Sequence, residues 1–141
     1  MPSYSTPPSL SDCEDIARKA YADLPEQFRR FVGDVVIRVV DFPDEETERE
    51  MGLESPFDLL GLYRGVELGS KSVAWTPSDV DMIFLYRRPL LDYWCDTGED
   101  FEHLIRHVLI HEIGHHFGLS DDDMEALEAQ AEAEEAGELR S

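Results

Sequence analysis

The chain has 141 residues, enough for one domain with a modest core and too few for two. Its 32 acidic and 12 basic residues give a formal net charge of −20. That balance excludes nucleic acid and anionic membrane surfaces as expected partners, since both need a cationic patch. An acidic field of this size suits metal ions and basic or extended polypeptides, or it serves solubility alone.

The segment MPSYSTPPSLSD has no basic n-region and no apolar stretch of signal-peptide length, and no apolar run approaches the roughly 18 residues of a membrane span. The expected location is therefore the cytoplasm. Two cysteines, Cys13 and Cys95, are too few for a disulfide scaffold and are expected as free thiols, with Cys95 a packing residue.

Residues 1–9, rich in proline and hydroxyl side chains, are expected to be disordered. From Ser11 as N-cap, Cys13, Ile16, Ala17, Ala20, Tyr21 and Leu24 mark an amphipathic helix that stops near Pro25, and Glu26 to Val32 adds another turn. Asp34 to Asp41 is rich in β-branched residues between Gly33 and Pro43 and predicts a strand, its near-continuous apolar run implying burial on both faces. Residues 43–58 form an acidic surface excursion with a short helix ended by Gly52.

Leu59 to Val66 predicts a second strand, in which Gly61 and Gly65 mark a close backbone approach or a bend. After a turn near Gly69 to Ser72 and a loop around Pro77, Asp81 to Arg87 predicts a third strand, closed by Pro89. Pro89 to Trp94 is expected as a bulky loop. The segment from Met124 to Ser141 carries a narrow apolar stripe at Met124, Leu127 and Ala131 and is expected to start helical and end frayed. The layout is α+β, with a small sheet of three to four strands covered by helices. The expected organisation is a disordered segment over residues 1–9, a domain over 10–128 and an acidic tail over 129–141.

The chemistry lies between Phe101 and Asp123. Phe101, Leu104, Ile105, Val108, Ile113 and Phe117 recur at helical spacing with no intervening proline, so this stretch is a helix. It contains His111-Glu112-Ile113-Gly114-His115. Two imidazoles four residues apart share one helix face about one turn from each other, as two nitrogen ligands of one tetrahedral zinc require. Leu104 and Val108 share that stripe, which points the two imidazoles toward the core. Glu112 lies about 100° round the helix from His111, placed as a general base and not as a ligand.

A catalytic zinc keeps three protein ligands. Gly118 can take the left-handed conformation that ends a helix and reverses the chain, bringing the residues beyond it back toward the metal. Asp121 is the first choice for third ligand, with Asp122, Asp123 and Glu125 behind it. Ser120 and Asp123 also resemble a capping box, and both roles can hold together. His103 and His107 extend the stripe by steps of four, but three turns of straight helix span roughly 12 Å, too far for three imidazoles to share one zinc. They are expected to face solvent or to support the ligands, and His116 falls off the ligand face.

The chain resembles the bacterial minimal zincin-like metallopeptidases. The resemblance rests on Ser55-Pro-Phe-Asp-Leu-Leu-Gly-Leu-Tyr63, on Ile83 to Pro89 and on the H-E-x-x-H-x-x-G-x-x-D pattern within His111 to Met124, and it covers roughly residues 10–125. It implies a reduced zincin-like fold, with a small mixed β-sheet packed against an active-site helix and flanking helices. It also implies one zinc ion held by His111, His115 and Asp121. The implied activity is peptide-bond hydrolysis by a zinc-activated water with Glu112 as general base. The expected partner is a peptide or protein substrate, basic or extended, bound by a monomer. The rival reading is a non-catalytic zinc-binding or protein-interaction domain, because so short a chain has little material for a substrate cleft.

Overall fold

The computed structural model describes residues 6–65 and 81–140, so the expected turn near Gly69 and the loop at Pro77 lie outside the described residues. Helix α1 spans Leu10–Ala22 and α2 spans Glu26–Val32; strand β1 follows at Val35–Val40. Helix α3 (Glu45–Met51) and a single 3-10 turn (Pro56–Asp58) lead to β2 (Gly61–Arg64). Strand β3 (Asp81–Tyr86) runs into α4 (Arg87–Thr97), followed by α5 (Phe101–Phe117) and α6 (Asp121–Arg140).

The described strands form one mixed sheet in the order β1-β3-β2. β3 is parallel to β1, with Val35 opposite Asp81 and Val40 opposite Tyr86, and antiparallel to β2, with Gly61 opposite Leu85. The α+β expectation holds. The burial expected of β1 belongs instead to β3, where Ile83, Leu85 and Tyr86 are buried. On β1, Val39 alone is buried and Val36 is exposed. The physical reason is position, because among the described strands β3 has a neighbour on each side and β1 on one.

The helix boundaries follow local chemistry. α1 begins two residues earlier than expected, since Ser9 and not Ser11 caps it. The Ser9 hydroxyl accepts from the Asp12 N–H at 3.0 Å and the Asp12 carboxylate accepts from the Ser9 N–H at 3.0 Å. This start lets Pro8 bury its ring completely while its carbonyl accepts from Arg87 Nε at 2.6 Å, so the end of the 1–9 segment is held against the domain. Residues 1–5 lie outside the described residues. Gly52 ends α3 at φ 63°, as its place in the sequence predicts.

Pro89 does not close β3 into a loop. The strand passes directly into α4, and Pro89 occupies the first turn of that helix. A proline there costs no hydrogen bond, because the first four N–H groups of a helix have no partner within it.

The core gathers α1, α5 and the sheet: Cys13 and Ala17 meet Leu104, Ile105, Val108 and Leu109, with Ile83 and Leu85 beneath. Gly61 brings β2 against α5 so closely that a Cβ there would lie 2.9 Å from Val108 Cγ1. A second cluster, Leu24, Ile110, Met124 and Ala131, seats α6 on α5.

Candidate metal centre

α5 is a helix enclosed on two sides. Asp100 caps its start by accepting from the His103 N–H at 3.0 Å, and Gly118 ends it at φ 71°, with the Leu119 N–H reaching back to the Gly114 carbonyl at 2.8 Å. One flank buries Leu104, Ile105, Val108 and Leu109 in the main core, and another buries Ile110 and Gly114 beneath Met124 of α6. The histidine stripe runs along the margin left between them.

That placement corrects the expectation that His111 and His115 face the core. His111 is half-buried and His115 is exposed, while Leu104 and Val108 are buried. His115 stands in the last turn of α5, where His116 and Gly118 are exposed as well, so its exposure comes from the helix end and not from its angular position. His103 and His107 are exposed, as expected. His116, also exposed, stacks on Tyr63 of β2 with ring centres 4.0 Å apart.

His111 is the hub of the charged side chains here. Burial holds its imidazole below the ordinary value of 6.5, His107 and His115 push the same way, and the carboxylates of Glu128 and Asp121 oppose them. A neutral imidazole is the form that ligates a metal. The rings of His111 and His115 stand at 85° with centres 5.9 Å apart. Two imidazoles on one tetrahedral zinc have ring centres roughly 5 Å apart, so small side-chain rotations suffice for this pair, and two nitrogens with a carboxylate are a donor set suited to zinc.

Asp121, exposed at the first position of α6, reaches His111 through its charge. Its neighbour Asp123 closes the predicted cap, its backbone N–H donating to the Ser120 hydroxyl at 3.1 Å while its carboxylate accepts from the Ser120 N–H at 3.3 Å.

Glu112 is half-buried. Burial pushes its carboxyl above the usual carboxylate range, with His115 pulling it back, and its charge is felt by the buried Tyr86 of β3. A carboxylate raised in this way is a stronger base near neutral pH than an exposed one.

A further set of donors meets around His111. His107 Nδ1 lies 2.5 Å from Glu128 Oε1, the His107 and His111 rings lie 4.0 Å apart, and ligand atoms of His107, His111 and Glu128 all fall within 4.8 Å of one another. Sequence reasoning left this set out. The spacing of His107 and His111 was visible, but Glu128 comes from another helix, 21 residues beyond His107.

A model of the zincin-like metallopeptidase family matches residues 32–131, well over half of the chain. The chain belongs to that family. The matched span runs from the end of α2 through β1, β2, β3 and α5 into α6, and it includes His111, Glu112, His115, Asp121 and Glu128. The six helices and mixed sheet described above are accordingly a reduced zincin-like fold, and the metal that the family implies is zinc. No curated protein gives a significant match. Among the described residues, no helix is long and apolar enough to cross a membrane.

Proposed function

We propose that the chain is a zinc-dependent peptidase in which His111, His115 and Asp121 hold the metal and Glu112 is the general base. The observation that carries this reading is the half-buried Glu112 carboxyl, flanked by the two motif histidines and raised by desolvation. Family membership supports the same reading. Zinc, when bound, supplies Lewis-acid polarisation of a carbonyl and acidification of water.

The protein groups do the rest. Glu112 takes a proton from the attacking water and returns it to the departing amine. The charge of −20 favours basic or extended peptide and protein substrates over nucleic acid and anionic membrane surfaces.

Metal analysis with His111→Ala as control, followed by a peptide-library digest with Glu112→Gln, tests the proposal. Stoichiometric zinc in the wild type and in Glu112→Gln is expected, with cleavage reduced about 10²–10⁴-fold in the variant. Absence of zinc overturns the metal centre. Equal turnover by both proteins removes Glu112 from the chemistry, and zinc binding without turnover across a broad library makes the chain a binding domain.

A further inference from the structure

Antiparallel packing of α5 and α6 sets Met124 on Gly114, and about one turn further along α6 and two turns back along α5 the same packing brings Glu128 to His107. Glu128 is about three-quarters buried, with its side chain 24% exposed, and it holds His107 at 2.5 Å while His107 lies ring on ring with His111. Two imidazoles and one carboxylate, from two helices already fixed by a common core, thus have ligand atoms within 4.8 Å of one another. His107 and Glu128 open on a cavity of about 400 Å³ that is also lined by Glu99, Asp100, His103 and Glu132, with Arg106 paired to Glu132. A hydrated cation has both room and a favourable field there.

We propose that His107, His111 and Glu128 form a second site for a divalent transition metal, alternative to the His111, His115 and Asp121 set of the proposed function. The donor chemistry is the same as that set's, two neutral nitrogens and one oxygen, and it suits zinc or cobalt(II). To admit the metal the two rings, now tilted at 34° with centres 4.0 Å apart, must part by roughly 1 Å, since ligating imidazoles on one zinc sit roughly 5 Å apart.

His111 belongs to both sets. A neutral imidazole offers one free lone pair, so the two sets exclude each other and the chain takes one ion at a time through His111. In the new set the ion lies between His107, His111 and Glu128, and His115, the motif histidine that follows Glu112, is left out of it. Metal in the new set therefore leaves Glu112 without a partner for its chemistry, and Glu128 competes with His115 and Asp121 for the ion.

The test is cobalt(II) titration of the full chain, read by tetrahedral d–d absorption and by bound-metal stoichiometry, with thermal unfolding as a check on the fold. His115→Ala, which alters an exposed residue, is expected to keep one equivalent of cobalt, as is Asp121→Asn. His115→Ala/Glu128→Gln and His115→Ala/His107→Ala are expected to lose it. Loss of cobalt from His115→Ala and Asp121→Asn alone overturns the second site, as does full retention by both double variants. Glu128→Gln alone separates the two proposals. Its retention of metal supports the His111, His115 and Asp121 set, whereas its loss of metal while His115→Ala binds supports the second site and overturns that assignment.

Discussion

Met124 of α6 lies directly on Gly114, the one residue of the His111–His115 segment that has no side chain. A Cβ added at Gly114 would stand 2.8 Å from Met124 Cγ, closer than real Cβ atoms approach such a neighbour. The fourth position of the zinc motif is thus also the point at which the final helix docks, and the spacing between the histidines is tied to α6 through one contact.

Gly114→Ala is therefore expected to lower stability by about 1–3 kcal/mol, the usual cost of overpacking a filled core. Met124 is 1% exposed and has nowhere to move without shifting α6. Urea unfolding measures the loss, and Gly114→Ala/Met124→Ala is expected to recover part of it. No recovery in the double variant would mean that the contact does not limit the packing.

Gly118→Ala tests the turn that carries the chain from His115 to Asp121. At φ 71° an alanine is strained by roughly 1–2 kcal/mol, although no neighbouring atom obstructs a Cβ there. Both stability and zinc affinity are expected to fall. A loss of stability with unchanged affinity would place Asp121 outside the ligand set.

Cys13 is fully buried, and burial pushes its thiol up to about 11, partly offset by Arg87. In native protein a thiol reagent is expected to label the exposed Cys95 and to reach Cys13 only after denaturation. The folded-state value lies above the ordinary 9.0, so the folded protein holds the proton more tightly. Its contribution to stability is complete below about pH 9 and is lost as pH rises toward 11, an effect on the order of 1–3 kcal/mol that Cys13→Ala should remove. A Cys13→Ala unfolding profile with the same alkaline slope as the wild type would refute this.

Tyr63 links the sheet to the end of the metal helix. Its hydroxyl donates to the Asp81 carboxylate at 2.8 Å while its ring stacks on His116. Tyr63→Phe keeps the ring and is expected to cost about 1–3 kcal/mol, the range for a bond to a charged acceptor whose partner is removed. A change below about 0.5 kcal/mol would show that water replaces the phenol.

Zinc should stabilise the folded chain by about 2.7 kcal/mol at a free concentration one hundred times its Kd, and a chelator should reverse the gain. Protons compete for the same imidazoles. Because burial holds His111 below 6.5, that ligand stays available to the metal at lower pH than an exposed histidine, and it is lost as pH falls further. Thermal unfolding with and without zinc between pH 8 and pH 5 measures both effects, in steps of roughly one pH unit around the ordinary histidine value. A zinc-induced shift that persists undiminished at the acid end would exclude histidine ligands.

Much of this protein was legible because its signals are local. The helix of the zinc motif, its end at Gly118, the turn at Gly52, the cap at Ser120 and the close approach at Gly61 each depend on a few neighbouring residues whose backbone chemistry leaves little choice. Local signals also compete. Ser9 and Ser11 each have an acid three residues on, and the burial of Pro8 accompanies the choice of Ser9. Pro89 reads as a strand end until its place in the first turn of α4 makes it harmless.

The sequence by itself determined the helix that carries His111, Glu112 and His115, the turn toward Asp121 and the family they belong to, because a helical repeat and a left-handed glycine act over one or two turns. Tertiary structure decided which strand is buried, how far each histidine is exposed and that Glu128 meets His107 and His111. The first depends on the place of β3 between two strands, and the meeting of Glu128 with the histidines on the docking of α6 through Met124 onto Gly114, contacts between separate elements that no periodicity within any one of them encodes.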